Sequence, residues 1–198
     1  MAWQGAALVA EYADDASRAT SCLERGLELA RRGKIDNYVC RLCLDLIPHV
    51  LDDGDIEAAA ALSFEAERSM PGDGDPGPFY GPVIRLGRAR VRLAQDDPTA
   101  AAQLVLDSLP ARVAEAPTVS QVLSALEVAA MVMAASGDRR ARRVMAAIDR
   151  WQTEAHMVEN PIVDERRDRA LAGLPPMPSG DPIDLDHALA VAGSALAV

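Results

Sequence analysis

The chain has 198 residues, of which 49% are hydrophobic, only 4% are aromatic and 37 are alanine. Small and aliphatic side chains in this proportion are typical of closely packed helices, and they argue against an all-β sandwich. The 30 acidic residues outnumber the 20 basic residues and give a formal net charge of −10. This charge argues against direct nucleic-acid binding by the chain as a whole, because phosphate contacts need a basic face.

Signals for secretion or membrane insertion are weak. Cys22, Cys40 and Cys43 are too few, and odd in number, for a disulfide scaffold. The apolar run 6–10 has no basic residue before it, unlike a signal peptide. The uncharged stretch 188–198 is about half of the roughly 20 residues that a membrane span requires. The sequence therefore predicts a cytoplasmic protein that does not bind a membrane.

Apolar residues recur with the spacing of an amphipathic helix in several segments, most clearly in 19–30, 39–50 and 122–133. Turn-forming pairs lie 40 to 42 residues apart, at Asp14-Asp15, Gly54-Asp55, Asp96-Asp97 and Gly137-Asp138. Glycine tolerates the left-handed conformation that ends a helix, and an aspartate caps the N–H groups that begin the next helix. The predicted N-caps are Asp15, Asp55, Asp97 and Asp138.

These turns divide the first part of the chain into four predicted helix pairs, 2–13 with 15–32, 36–52 with 55–69, 80–95 with 98–115, and 118–136 with 138–155. Units of about 41 residues that each leave one face bare must stack to bury it. The sequence therefore predicts an all-α protein, an α-solenoid of about four antiparallel helix hairpins. Small residues at Ala19, Ala59 and Ala101 follow three of the turns at the same offset, whereas Arg142 interrupts this pattern.

Prolines and glycines mark the remaining boundaries. Pro48 predicts a kink in its helix, because it removes an N–H donor and crowds the carbonyl of Leu44. The stretch 70–82 predicts a loop. The repeat domain is predicted to span 1–155, and a helical extension 156–198. The extension is predicted to have a break at Asn160-Pro161, a charged helix 163–172, a linker 174–182 and a last helix from 182 or 183 to 192. Four apolar residues of that last helix are predicted to cap the stack: Ile183, Leu185, Leu189 and Ala192.

Four residues of the second unit, Gly54, Ala59, Ala66 and Pro71, stand where tetratricopeptide-like repeats place a turn glycine, two small packing residues and a helix-ending proline. The chain resembles that family, with a longer period. The segments 142–148, 168–171 and 185–189 resemble the helical sensor region of large ATP-binding LuxR-type transcriptional regulators of actinobacteria. These resemblances imply a scaffold for protein contact or effector sensing, and they supply no catalytic residue.

The sequence predicts no catalytic residue, no cofactor and no metal site. Cys40 and Cys43 form a Cys-x-x-Cys pair inside a helix stripe, which favours buried structural thiols over redox chemistry. A zinc site formed by these two residues with Cys22 and His49 is the alternative. His49, His156 and His187 are scattered along the chain, without a nucleophile and acid at recognisable spacing. An all-helical enzyme stays open as a third hypothesis, because catalytic groups can converge from distant segments.

Arg85, Arg88 and Arg92 fall on one face of a predicted helix and are the candidate binding residues. They would hold a carboxylate or phosphate of a partner or effector, or else form a solvated face. A second group of arginines in 139–143 and 166–169 is interleaved with acidic residues, which favours internal salt bridges. Met131, Met133 and Met145 favour core packing, with a methionine-lined groove for a partner helix as the alternative.

The leading hypothesis is a non-enzymatic scaffold that binds a protein or peptide through a groove on the first helices of its stacked hairpins, as part of bacterial transcriptional regulation. The alternative is a domain that senses a small anionic effector near Arg85. The sequence leaves a homo-oligomer open.

Overall fold

The computed structural model describes residues 2–70, 77–110, 113–116, 118–158, 160–176 and 183–197. Within these ranges the chain is helical and has no strand, which confirms the all-α prediction. A short 3₁₀ turn spans Val113–Glu115. The ten α-helices are α1 Ala2–Tyr12, α2 Ala16–Gly33, α3 Asp36–Asp52, α4 Ile56–Arg68, α5 Gly77–Ala94, α6 Pro98–Leu106, α7 Val119–Ala135, α8 Ala141–Glu154, α9 Pro161–Leu171 and α10 Leu185–Leu196.

Three of the four predicted N-caps are confirmed. Asp15, Asp55 and Asp97 each accept a hydrogen bond from the backbone N–H three residues later, at 2.9–3.0 Å. The prediction for Asp138 is wrong, because α8 begins only at Ala141. Asp138 instead closes a separate turn, in which its carboxylate accepts from the N–H of Arg140 and its carbonyl accepts from the N–H of Ala141.

The four predicted turns share one backbone conformation. The residue before each predicted cap is left-handed, with φ of 58° at Asp14, 78° at Gly54, 58° at Asp96 and 75° at Gly137. Glycine adopts this conformation freely, and aspartate is one of the few other residues that tolerate it. The local chemistry of the turns therefore sets where one helix ends and the next begins.

The alanines that follow the turns lie at helix contacts. Ala19, Ala59 and Ala101 are fully buried, as their small size predicts. In the last unit the fully buried alanine is Ala141, one position earlier. Arg142, which interrupts the pattern, donates hydrogen bonds to the carbonyls of residues 171, 174 and 175 and so holds the segment after α9.

Two predicted boundaries of the third unit are wrong. The helix α5 begins at Gly77, so residues 77–82 of the predicted loop are helical. Pro78 fits the first turn of a helix, and α5 continues through Pro82 as α3 continues through Pro48. Residues 71–76, including Pro71, lie outside the described residues. The helix α6 ends at Leu106 and not near 115, because Pro110 disfavours helical conformation in the residue before it.

Consecutive helices pack in pairs, α1 on α2, α3 on α4, α5 on α6 and α7 on α8, and α5 also packs between α3 and α7. The approach of α3 to α5 is close, since a Cβ on Gly87 would lie 2.7 Å from Cδ2 of Leu44. The helix α3 continues through Pro48 to Asp52. The buried apolar residues form two clusters, an N-terminal cluster over α1–α5 and a C-terminal cluster over α5–α8 and α10.

The two helices of the C-terminal extension, α9 and α10, pack against different parts of the fold. The helix α10 packs against α6, α7 and α8 and begins at Leu185, two or three residues later than predicted. The four predicted capping residues are buried, Ile183 just before this helix and the other three within it. The charged helix α9 packs against α7, α8 and the distant α1. The predicted linker residues 177–182 lie outside the described residues. No helix in the described part of the chain is both long enough and apolar enough to cross a membrane.

Candidate functional site

The structure has a groove of about 860 Å³, to which α1, α3, α5 and α7 all contribute. These are the first helices of the four helix pairs. Apolar side chains cover much of its surface, among them Leu8, Leu44, Tyr80, Val83 and Leu86. Leu8 and Phe79 are 48% and 44% exposed, so large apolar side chains face water along the groove.

Charged side chains inside the groove are paired with one another. Asp45 accepts from Nε of Arg41 at 3.1 Å and from Nε2 of Gln4 at 2.8 Å. Arg90 on α5 donates from Nη2 to Glu127 on α7 at 3.2 Å. The groove therefore combines an apolar surface with balanced charges, and it does not present one dominant sign.

A buried polar cluster closes one side of the groove. His49, which is buried, lies with Nε2 at 2.9 Å from Oε1 of Glu11. Asn160 donates from Nδ2 to the other oxygen of Glu11, also at 2.9 Å. Burial raises the pKa of Glu11, but these two hydrogen bonds and the charges of His49 and Arg166 outweigh it, so the pKa is lowered overall.

Asp45 has the opposite shift. Loss of water at its position on the groove wall raises its pKa above the ordinary value, and the charge of Arg41 and the bonds from Gln4 and Arg41 offset only part of this effect. Its side chain keeps 30% exposure. Folding therefore favours the ionised form of Glu11 and the protonated form of Asp45.

Polar groups without a partner also lie in the groove. Gln121 donates from Nε2 to the carbonyl of Phe79 at 2.9 Å, while its Oε1 is buried and has no hydrogen-bond partner. Asn37, Ser120 and Ser124 add further amide and hydroxyl groups to the lining. Side-chain amides and hydroxyls both donate and accept, so they match the alternating N–H and C=O groups of a polypeptide backbone.

A second cavity of about 330 Å³ lies beside the groove. Eight of its twelve lining residues are apolar, and the other four are three arginines and Asp52. Pro48, Arg90 and Arg166 line both cavities. The helix α9 borders both, with Val163 in the groove and Ala170 in the second cavity.

Ion pairs hold α9 in this position. Asp52 at the end of α3 accepts from Nε of Arg166 at 2.5 Å and from Nη1 of Arg169 at 3.1 Å. Arg167, which is buried, lies with Nε at 3.7 Å from Glu127 of α7 and with Nη1 at 3.3 Å from Asp149 of α8. The helix α9 therefore joins three other helices through charged groups.

The predicted binding residues Arg85, Arg88 and Arg92 line neither cavity. Arg88 pairs with Glu67 of α4 at 3.2 Å, and Arg92 donates to Gln95 at 3.3 Å. Nε of Arg85 is buried without a hydrogen-bond partner. The arginine of this helix that does line both cavities is Arg90, on another face of α5.

The cysteines and histidines do not converge as the zinc alternative requires. Cys40 and Cys43 are fully buried, and burial raises the pKa of their thiols to about 11 and about 12. His49 instead contacts Glu11. Among the described residues no group of three metal-ligating side chains comes together.

Four arginines of the second group form internal salt bridges: Arg140 with Asp138, Arg166 with Asp52, Arg167 with Asp149 and Asp164, and Arg169 with Glu165. Arg142 instead donates to backbone carbonyls. Met133 and Met145 are buried in the C-terminal cluster, as the core-packing interpretation predicts. Met131 packs against the same cluster and also lines the second cavity.

Comparison with known proteins adds no family to this description. No protein-family model matches the chain, and neither the curated proteins nor the solved structures give a significant match.

Sequence analysis missed most of the groups that build the two cavities. Glu11 and His49 are 38 positions apart, Arg90 and Glu127 are 37 apart, and Arg166 and Asp52 are 114 apart. The available signal was local, because Asp45 and His49 lie one helical turn apart and place two titratable side chains on one face of α3, beside its apolar stripe.

Proposed function

We propose that the helix pairs form an α-solenoid of stacked antiparallel hairpins, and that the groove along their first helices binds a segment of a partner protein. The single observation that carries this proposal is one groove of about 860 Å³ to which α1, α3, α5 and α7 all contribute. A groove shared by successive units suits an extended ligand better than a compact one.

The lining supports a polypeptide as the ligand. Exposed apolar side chains such as Leu8 and Phe79 would cover apolar side chains of the segment. A rotation of the Gln121 side chain would bring its buried, unpartnered Oε1 to a backbone N–H of the segment, and neighbouring hydroxyls would bind backbone carbonyls. The role is a non-enzymatic one, that of an interaction module. We assign this module to cytoplasmic bacterial transcriptional regulation because segments 142–148, 168–171 and 185–189 resemble the helical sensor region of LuxR-type regulators.

The test fills the groove and leaves the core intact. Ser124 on α7 lines the groove and is half-buried, whereas Ser17 on α2 is exposed and lines neither cavity. Peptides that bind the full chain would be selected from a displayed random library and then measured against Ser124→Trp and the matched control Ser17→Trp. We expect Ser124→Trp to weaken binding by roughly tenfold or more, and Ser17→Trp to leave it unchanged.

A second variant guards against misfolding. Ser120→Trp places the same bulk at an exposed groove position near the start of α7. Circular dichroism and the melting temperature would show that the variants keep the wild-type fold. Equal peptide affinity in the wild type and both groove variants would contradict the proposal. A dimer by light scattering that Ser124→Trp dissociates would instead assign the groove to a second copy of the chain.

A further inference from the structure

The second cavity has the composition of a site for a small molecule with one charged end. Its apolar wall includes Leu51 of α3, Leu93 of α5 and Met131 of α7. Arg90, Arg166 and Arg169 supply three guanidinium groups against one lining carboxylate, that of Asp52. Its volume of about 330 Å³ is within the range of ligand-binding pockets.

The arginines already hold a carboxylate in this structure. The two oxygens of Asp52 are bound separately, one by Arg166 and one by Arg169. Nη2 of Arg166 has no hydrogen-bond partner and is shielded from solvent, in keeping with a side chain that is 12% exposed. A buried donor without a partner is unfavourable, so a small shift of this side chain toward an anion in the cavity would give Nη2 a charge-assisted hydrogen bond.

Neighbouring acids limit how much positive charge is free. Arg90 is paired with Glu127, and Arg169 is paired with Glu165 as well as with Asp52. The three guanidinium groups and the three carboxylates balance, so a ligand with several negative charges would be repelled. A single ligand carboxylate would share the donors of Arg166 and Arg169 with Asp52, and the apolar wall would contact a hydrocarbon chain attached to it.

The geometry points to this cavity as a binding site for a medium-chain monocarboxylate, with its tail against Leu93 and Met131 and its head at Arg166 and Arg169. The site adjoins the groove, with which it shares Pro48, Arg90 and Arg166, and it does not include the predicted stripe of Arg85, Arg88 and Arg92. It does not depend on peptide binding, so either proposal can fail while the other holds.

The test uses the full chain labelled with ¹³C at methionine methyl groups. Met131 lines the cavity, while Met133 and Met145 are buried in the C-terminal cluster and act as internal references. Butyrate, hexanoate, octanoate and decanoate would be titrated, with octanol and acetate as probes of the tail alone and the head alone. We expect octanoate to shift the Met131 signal saturably, with little movement of the two references.

Matched variants separate the cavity from the rest of the surface. Ala135→Trp fills the cavity from an exposed lining position, and Ala146→Trp adds the same bulk at an exposed position of α8 outside both cavities. Arg169→Gln removes one charged donor from a largely exposed side chain. We expect no octanoate binding in Ala135→Trp, wild-type binding in Ala146→Trp, and roughly tenfold weaker binding in Arg169→Gln.

Three results would overturn the proposal. They are an unmoved Met131 signal with octanoate, equal binding of octanol or acetate, and unchanged octanoate affinity in a folded Ala135→Trp variant. Binding that Arg169→Gln weakens and Ala135→Trp abolishes would establish the site.

Discussion

The two core clusters end differently. The N-terminal cluster ends at α1, which buries only Ala7 and Ala10 and leaves Leu8 and Val9 48% and 67% exposed. The C-terminal cluster ends at α10, whose Leu185 and Leu189 are buried. The N-terminal end is held by the close approach of α1 to α2, where a Cβ on Gly26 would lie 2.9 Å from Cβ of Trp3, and by the hydrogen bonds of Glu11. The C-terminal end is held by the burial of apolar side chains. We infer that the two ends of the helix array differ in how much each side chain contributes to stability.

The largest expected effect tests this contrast with one pair of substitutions. Leu189→Ala removes a buried side chain of α10, and we expect it to lower the free energy of unfolding by about 2–4 kcal/mol. Leu8→Ala removes the same atoms from an exposed position of α1, and we expect a loss below about 1 kcal/mol. Urea denaturation measures both. Equal losses would show that α1 is held as firmly as α10.

An intermediate effect is expected at Arg142, which fixes the segment after α9 to the C-terminal cluster. Arg142→Met removes three hydrogen bonds to backbone carbonyls, of 2.7–3.2 Å, and we expect it to cost about 1–3 kcal/mol. Limited proteolysis would then cut within 171–176 faster than in the wild type. Arg143→Met is the control on another face of α8. Unchanged proteolysis in Arg142→Met would mean that the segment is held by other contacts.

The smallest effect is a change in how stability depends on pH at the N-terminal end. The pKa of Glu11 is lower in the folded chain than in the unfolded chain, so Glu11 stabilises the fold above its unfolded pKa. That contribution is lost as the pH falls through the lower, folded pKa. We therefore expect the wild type to lose stability relative to Glu11→Gln when urea denaturation is repeated at decreasing pH, from about 5 downward.

Asp45 supplies the opposite control. Its folded pKa is raised, so its ionisation disfavours the fold once the pH rises above the unfolded pKa. We expect the wild type to lose stability relative to Asp45→Asn as the pH rises from about 4. A gain in wild-type stability relative to Glu11→Gln at decreasing pH would contradict the lowered pKa of Glu11, and a gain relative to Asp45→Asn at increasing pH would contradict the raised pKa of Asp45.

Sequence predicted best what is decided within a few residues. The caps at Asp15, Asp55 and Asp97 were correct because a cap and the N–H that it binds are three positions apart. The same rule failed at Asp138, where the aspartate closes a turn of its own before α8 begins. The early end of α6 could also have been predicted from local sequence, because Pro110 disfavours helical conformation in the residue before it.

The cavities could not be predicted, because their residues are joined by tertiary contacts. The sequence predicted α9 as a short charged helix, but its place against α1 and α7 depends on partners such as Asp52 and Glu127. The arginine stripe of α5 looked like a binding face because three arginines share it, yet the side chain that lines both cavities is Arg90. Helical periodicity shows which residues share a face, and it does not show which face borders a cavity.

The bond between Asn160 and Glu11 has a consequence for cooperativity. It joins residues 149 positions apart, where α9 returns to α1. A repeat array in which each unit contacts only its neighbours loses structure one unit at a time. Here α9 contacts α1 as well as α7 and α8, so α1 cannot detach without breaking contacts to the C-terminal part of the chain. We expect the chain to unfold in one all-or-none transition. Removal of residues from either end should lower the stability of the whole chain.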